Sequence, residues 1–190
     1  YGSDWSSLGT YIDLQTTAPL VFIGHGLVSK TFGRDDLKDV DLKGKIVVVI
    51  NGRPADVAQE QWSKIADDAK MMETLRQRGI AGLIDIPNGR ELYTREFIID
   101  QTARRSVGLA AAAAPMDIPL MFFSAPSAER LFAGSGKTMV QALTEADSAT
   151  FRPWPLTAKA DVQFVSSRKA GTSPNVIGVL KGSDPTLAAE

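Results

Sequence analysis

Four groups of residues in this chain have types and spacings that could do chemistry. Gly134-Ser135-Gly136-Lys137-Thr138 resembles the end of a phosphate-binding loop. That motif needs a glycine five residues before Gly136, and Leu131 stands there, so the wide turn that cradles a phosphate is missing. The loop should also follow a buried strand, whereas a short helix, Ala128 to Phe132, is expected before it. The plainer reading is that the two glycines end one helix and Lys137-Thr138 start another. His25 is the only histidine. A zinc centre draws several ligands, and no serine sits in a nucleophile-elbow sequence, so His25 reads as a residue at a strand edge or bend. Asp35, Asp36, Asp39 and Asp41 lack the glycine and terminal glutamate of a calcium loop and read as a solvated turn. Arg95, Arg104 and Arg105 form a small basic group that could meet a carboxylate from a long loop. Taken alone, these residues assign no catalytic group and no metal ligands.

The bulk numbers narrow the classes further. A chain of 190 residues with 44% hydrophobic and 23% charged residues is long enough for one sizeable folded domain. Its net charge of −1 argues against a nucleic-acid partner held through phosphates. With no cysteine, disulfides, thiolate nucleophiles and cysteine metal sites are excluded. The apolar stretch Ala18 to Ile23 is too short for a signal or membrane segment, so no membrane partner is expected. Tyr1 in place of a start methionine, and a C-terminus that runs into what looks like an unfinished element, suggest an excised domain.

These groups must be positioned by the elements around Asp35 to Gly52. Ile46-Val47-Val48-Val49-Ile50 is an unbroken β-branched run stopped by Asn51-Gly52, which suits a strand buried on both faces. Leu20 to Ile23 is a second strand, and Gly24-His25-Gly26 lets it bend. Residues 1–17 read as a lead-in strand or ordered arm. A helix is expected from Gln59 to Arg78, with Ile65, Ala69, Met72 and Leu75 on one face and Gly79 as its stop. Ile80 to Ile86 follows as a strand, giving a parallel, right-handed βαβ unit. Tyr93 to Arg105 reads as a helix, Val107 to Ala114 as strand or loop, and Ile118 to Ser124 as a short buried strand. Ala128 to Phe132 and Lys137 to Leu143 read as helices. Leu156 to Phe164 alternates apolar and polar residues, the period of an antiparallel strand with one wet face. Ser173 to Leu180 would return beside it. The fold class is thus α/β: a small parallel βαβ core plus an antiparallel sheet built from the chain ends.

Several of these segments together resemble a known family. Val21-Phe22-Ile23-Gly24-His25-Gly26-Leu27, Asp35-Asp36-Leu37 and Asp41-Leu42-Lys43-Gly44-Lys45-Ile46-Val47-Val48-Val49 are similar to the protease-associated domain of bacterial zinc aminopeptidases of the aminopeptidase Y and glutamate carboxypeptidase-like type. The likeness continues through Trp62, Lys64, Ala66 and Ala69 to Arg78-Gly79-Ile80-Ala81-Gly82-Leu83-Ile84. It includes Leu131-Phe132-Ala133-Gly134-Ser135-Gly136, which the family uses as a helix end. It is most specific over Ser173-Pro174-Asn175-Val176-Ile177-Gly178-Val179-Leu180-Lys181-Gly182-Ser183-Asp184-Pro185. The family favours Tyr where this chain has His25, and often Tyr where it has Leu37. The likeness is weakest over residues 1–17 and 88–117.

The resemblance implies a swivelling β/β/α-type protease-associated fold over 1–190, with 1–17 and 173–190 as connections to a missing peptidase domain. It implies a non-catalytic role in an exported, periplasmic or extracellular protein: a lid or wall that guides peptide substrate to the active site. The zinc would belong to the missing peptidase domain, since the family's zinc-ligating histidine follows the Gly182-Ser183-Asp184-Pro185 segment. The loops Asn51 to Trp62 and Asn88 to Ala114 would contribute, with Arg53, Tyr93 and Arg95 as candidate substrate contacts. Three alternatives stay open. A free-standing protein-interaction module would show a large exposed apolar patch. A nucleotide-binding domain would use Lys137. A swivelling phosphate-transfer domain would use His25 as carrier, though no acceptor loop is recognisable.

Overall fold

Ile46 to Ile50 cannot be solvated on either side, and the chain covers both. The computed structural model describes residues 2–7, 13–65, 68–103, 117–165, 170–172, 174 and 177–178. In chain order its strands are β1 (Trp5–Ser7), β2 (Leu14–Phe22), β3 (Val28–Ser29), β4 (Arg34–Asp35), β5 (Ile46–Asn51), β6 (Gly82–Pro87), β7 (Leu120–Phe123) and β8 (Trp154–Phe164). Its helices are α1 (Gln59–Ile65), α2 (Asp68–Gln77), α3 (Arg95–Ala103), α4 (Ala125–Leu131) and α5 (Met139–Ala146). Six strands form one mixed sheet in the order β1-β7-β6-β5-β2-β8, and β3 and β4 form a small antiparallel pair.

The central strand runs parallel to both neighbours, with Ile46 opposite Gly82 on β6 and opposite Leu20 on β2. Its side chains alternate between two cores. Ile46, Val48 and Ile50 join Phe22, Ala128, Phe132, Met139 and Ala142, so α4 and α5 cover that face. Val47 and Val49 join Val21, Ile23, Leu37, Leu42 and Leu75, so α2 and the 37–42 segment cover the other. The expected parallel β5–α–β6 unit is present. Its helical stretch is described as α1 and α2, on either side of residues 66–67. Gly79 (φ 72°) stops α2, and the amides of Gly79 and Ile80 reach back to the carbonyls of Arg76 and Leu75. These are the two bonds of a Schellman end.

Several expectations change. The antiparallel strands do not form a sheet of their own: β1 and β8 add antiparallel to opposite edges of the same sheet, beside β7 and β2. Part of the lead-in, from Leu14, belongs to β2 and pairs along β8, Leu14 opposite Phe164. Here β8 alternates polar and apolar residues, and Leu14 to Thr17 of β2 alternate half-buried and exposed positions, which suits a ribbon with one wet face: Thr157, Lys159, Asp161 and Gln163 are exposed, while Leu156 and Val162 are buried. The helix expected over Ala128 to Phe132 begins earlier, because Ser124 caps it and accepts from the Ser127 amide. The next starts at Met139, two residues later than expected, because Thr138 and Gln141 form a capping box before it. Gly134 (φ 74°) and Gly136 (φ 80°) lie between these helices, the plainer reading of that segment. Expectations for Tyr11-Ile12, Arg104-Arg105, Val107 to Ala114 and most of Ser173 to Leu180 fall outside the described residues.

Candidate functional site

In parallel sheets, ligands bind beyond the carboxyl ends of the strands. Here β2, β5 and β6 are adjacent and parallel, and each leads there into a polar loop: Gly24-His25-Gly26, residues 51–58, and residues 88–94. One carboxylate ties all three together. Asp147 caps the end of α5. Its Oδ1 lies 3.2 Å from His25 Nε2 and accepts the Ala55 amide at 3.0 Å. Arg90 Nη2 donates to both of its oxygens, at 2.8 and 3.0 Å.

The neighbouring groups are also committed. His25 Nδ1 lies 2.9 Å from the Gly52 carbonyl, and Trp62 of α1 meets the ring edge-on at 6.3 Å. Arg90 Nε and Asn88 Nδ2 both donate to the Arg53 carbonyl, at 2.9 and 3.1 Å. Arg34 donates to the carbonyls of Ala146 and Asp147 and forks onto Asp36 at 3.0–3.1 Å. Asp36 also accepts the Leu27 amide. This corrects the reading of the acidic group as a solvated turn. Asp35, Asp39 and Asp41 are exposed, but Asp36 is buried, because Arg34 of β4 is buried beside it and neutralises it. Burial pushes the Asp36 carboxyl up from its ordinary value against the pull of Arg34. Burial pushes His25 down from 6.5, opposed by its bonds to Gly52 and Asp147.

The loops after β5 and β6 touch at Gly52, whose φ is +137°. A Cβ there would sit 2.3 Å from Asn88 Oδ1 and 3.1 Å from the Arg90 backbone. Gly52→Ala should therefore cost about 2 kcal/mol through backbone strain and the clash. Urea denaturation checks this; a loss under about 0.5 kcal/mol would mean that the loops part freely.

The three candidate contacts lie along this rim but not in one cluster. Arg53 turns back on its own loop, donating to the carbonyls of Pro54 and Val57. Arg95 holds the carbonyls of Gly2 and Ser3. Tyr93 is 55% exposed and stacks on Phe97 at 4.9 Å. Tyr93 and Arg95 line a small pocket of about 80 Å³ together with Ile86, Ile98, Phe122, Phe123, Glu91 and Asp85. A larger open groove of about 390 Å³ lies away from the rim, between Lys38–Asp41 and Arg152–Pro155.

Lys137 pairs with Glu145 and sits 4.9 Å over the Trp154 ring. Sequence reasoning missed Asp147, Arg34 and Arg90. Asp147 is 122 residues from His25, so no local spacing announces the pair. Among the described residues no group of three or more His, Asp or Glu is placed to hold a metal ion, and no helix is long and apolar enough to cross a membrane. Compared with family models and with curated proteins, the chain matches none.

Proposed function

We propose that this chain is a non-catalytic, protease-associated-type domain of an exported zinc aminopeptidase, and that loops 51–58 and 88–94, with the start of α3, form part of the wall guiding peptide to the zinc cleft. The segments quoted above for the family support this reading. The observation that carries it is the rim itself. Two polar loops at the carboxyl ends of parallel strands are braced through Asp147 and leave Tyr93 exposed beside a small pocket of mixed polar and apolar lining. Side chains on loops held by a stiff scaffold suit recognition of a passing chain.

In the full peptidase, Tyr93→Ala should lower kcat/KM for peptides about tenfold, roughly 1.4 kcal/mol of transition-state binding. Arg53→Ala and Arg95→Ala should lower it less, because each guanidinium is already engaged with backbone carbonyls. Unchanged kinetics in all three variants would overturn the proposal. Exposed Leu92, Tyr93 and Phe97 also favour a second reading, a protein-interaction module. Full peptidase kinetics together with loss of a protein partner in Tyr93→Ala would select it.

A further inference from the structure

His25 is held between two groups that can only accept a hydrogen bond. Nδ1 faces the Gly52 carbonyl at 2.9 Å, and Nε2 faces the Asp147 carboxylate at 3.2 Å. A neutral imidazole has one N–H and can satisfy only one of them. With that hydrogen assigned to Nδ1, the nitrogen of the shorter contact, the Nε2 lone pair looks at Asp147 Oδ1. That contact is tolerated because Asp147 is pinned elsewhere, by the Ala55 amide and the Arg90 fork.

The charges around the ring are already matched. Asp36 is neutralised by Arg34, and Asp147 by Arg90. From α1 the ring meets Trp62, and from the loop after β5 the Gly52 carbonyl; neither carries charge. A proton on His25 would therefore bring a third cation into a cluster with two anions. The His25 side chain is fully buried and cannot carry that charge into water. Arg90 can, because its side chain is 28% exposed.

We propose that Asp147 is a proton-driven exchange point. When a solvent proton binds His25 Nε2, the new N–H takes Asp147 Oδ1, Arg90 leaves that carboxylate for water, and the 88–91 loop is released. The proton ends on Nε2 and no covalent bond changes. Arg90 also donates to the Arg53 carbonyl, so its departure loosens the tie between the two rim loops. The direction follows from burial. A histidine pushed below 6.5 in the folded state stabilises the chain above 6.5, and that stability is lost as pH falls through and below this value. Because the exchange needs a proton on Nε2, the closed rim belongs to neutral pH and the open one to acid. This device does not depend on the peptidase reading.

The chain has one histidine, so its ring resonances are unambiguous. The ring of the 190-residue chain should be titrated by NMR between about pH 7.5 and pH 5, with amide exchange read at Asn88 to Glu91 and corrected for the intrinsic rate. As His25 takes its proton, protection of these amides should fall about tenfold. His25→Gln should show no such fall, and Arg90→Gln should be open at both ends of the range. Three results would overturn the proposal: His25 charging while Asn88 to Glu91 stay protected, His25→Gln opening in acid like the parent chain, or a ring that stays neutral throughout. Should His25→Gln not fold, the parent chain's ring titration and amide exchange decide the matter alone.

Discussion

Arg34→Ala should remove about 3–5 kcal/mol of stability, a large part of what a domain of this size holds. Arg34 and Asp36 are both buried, with side chains 3% and 2% exposed. Deleting the guanidinium leaves a carboxylate inside the protein with the Leu27 amide as its remaining partner. It also strips the carbonyls of Ala146 and Asp147 of a donor at the end of α5, where a cation is favoured by the helix dipole. The pH dependence gives a second test. Burial already raises the Asp36 carboxyl, and losing Arg34 must raise it further. A raised carboxyl adds stability at low pH that is lost as pH rises, so the deficit of the variant should shrink in acid. Replacing both partners with apolar residues of similar volume should recover much of the loss. Urea denaturation at two pH values reads all of this. A pH-independent loss under about 1 kcal/mol would show that the pair is not buried as described.

Phe22→Ala should cost a similar amount, about 3–5 kcal/mol. Phe22 is fully buried and lies edge-on to three rings, Phe132 at 5.4 Å and Phe151 and Trp154 each at 5.6 Å. These rings come from the C-cap of α4, from the loop after α5 and from the start of β8. One truncation therefore opens a cavity where three segments meet and removes three favourable ring contacts. Phe22→Leu should retain more than half of the lost stability. If Phe22→Leu were as damaging as Phe22→Ala, ring geometry rather than volume would be the term that matters.

What could be read beforehand follows how local the cause is. Ile46 to Ile50 announce a strand covered on both faces because five apolar residues in a row leave no side for water. The two-residue rhythm of Leu156 to Phe164 likewise announces its wet face, and Gly79 its helix stop. Edge placement was not legible, because alternation tells which face is wet but not which neighbour a strand takes. Leu14 to Thr17 belong to β2 because β8 is long enough to pair with them, a property of another part of the chain. The site was less legible still. Tyr93 lies exposed on the rim, as expected of a loop residue, yet Arg53 and Arg95 are engaged with backbone carbonyls. Asp36 misled because its charge was counted while that of Arg34, two residues away, was not. His25 gained its surroundings only when α5 brought Asp147 beneath it.

The two outermost strands are unequal as anchors. β1 holds three residue pairs with β7, while β8 holds eight with β2, and five strand spacings of about 4.8 Å separate them. Tension applied through segments preceding β1 and following β8 would thus load opposite rims of the sheet. It would peel away the short N-terminal ribbon first, after breaking the clamp of Arg95 on Gly2 and Ser3. The long ribbon at the far rim would still grip at that point, so mechanical failure would proceed from one side inward.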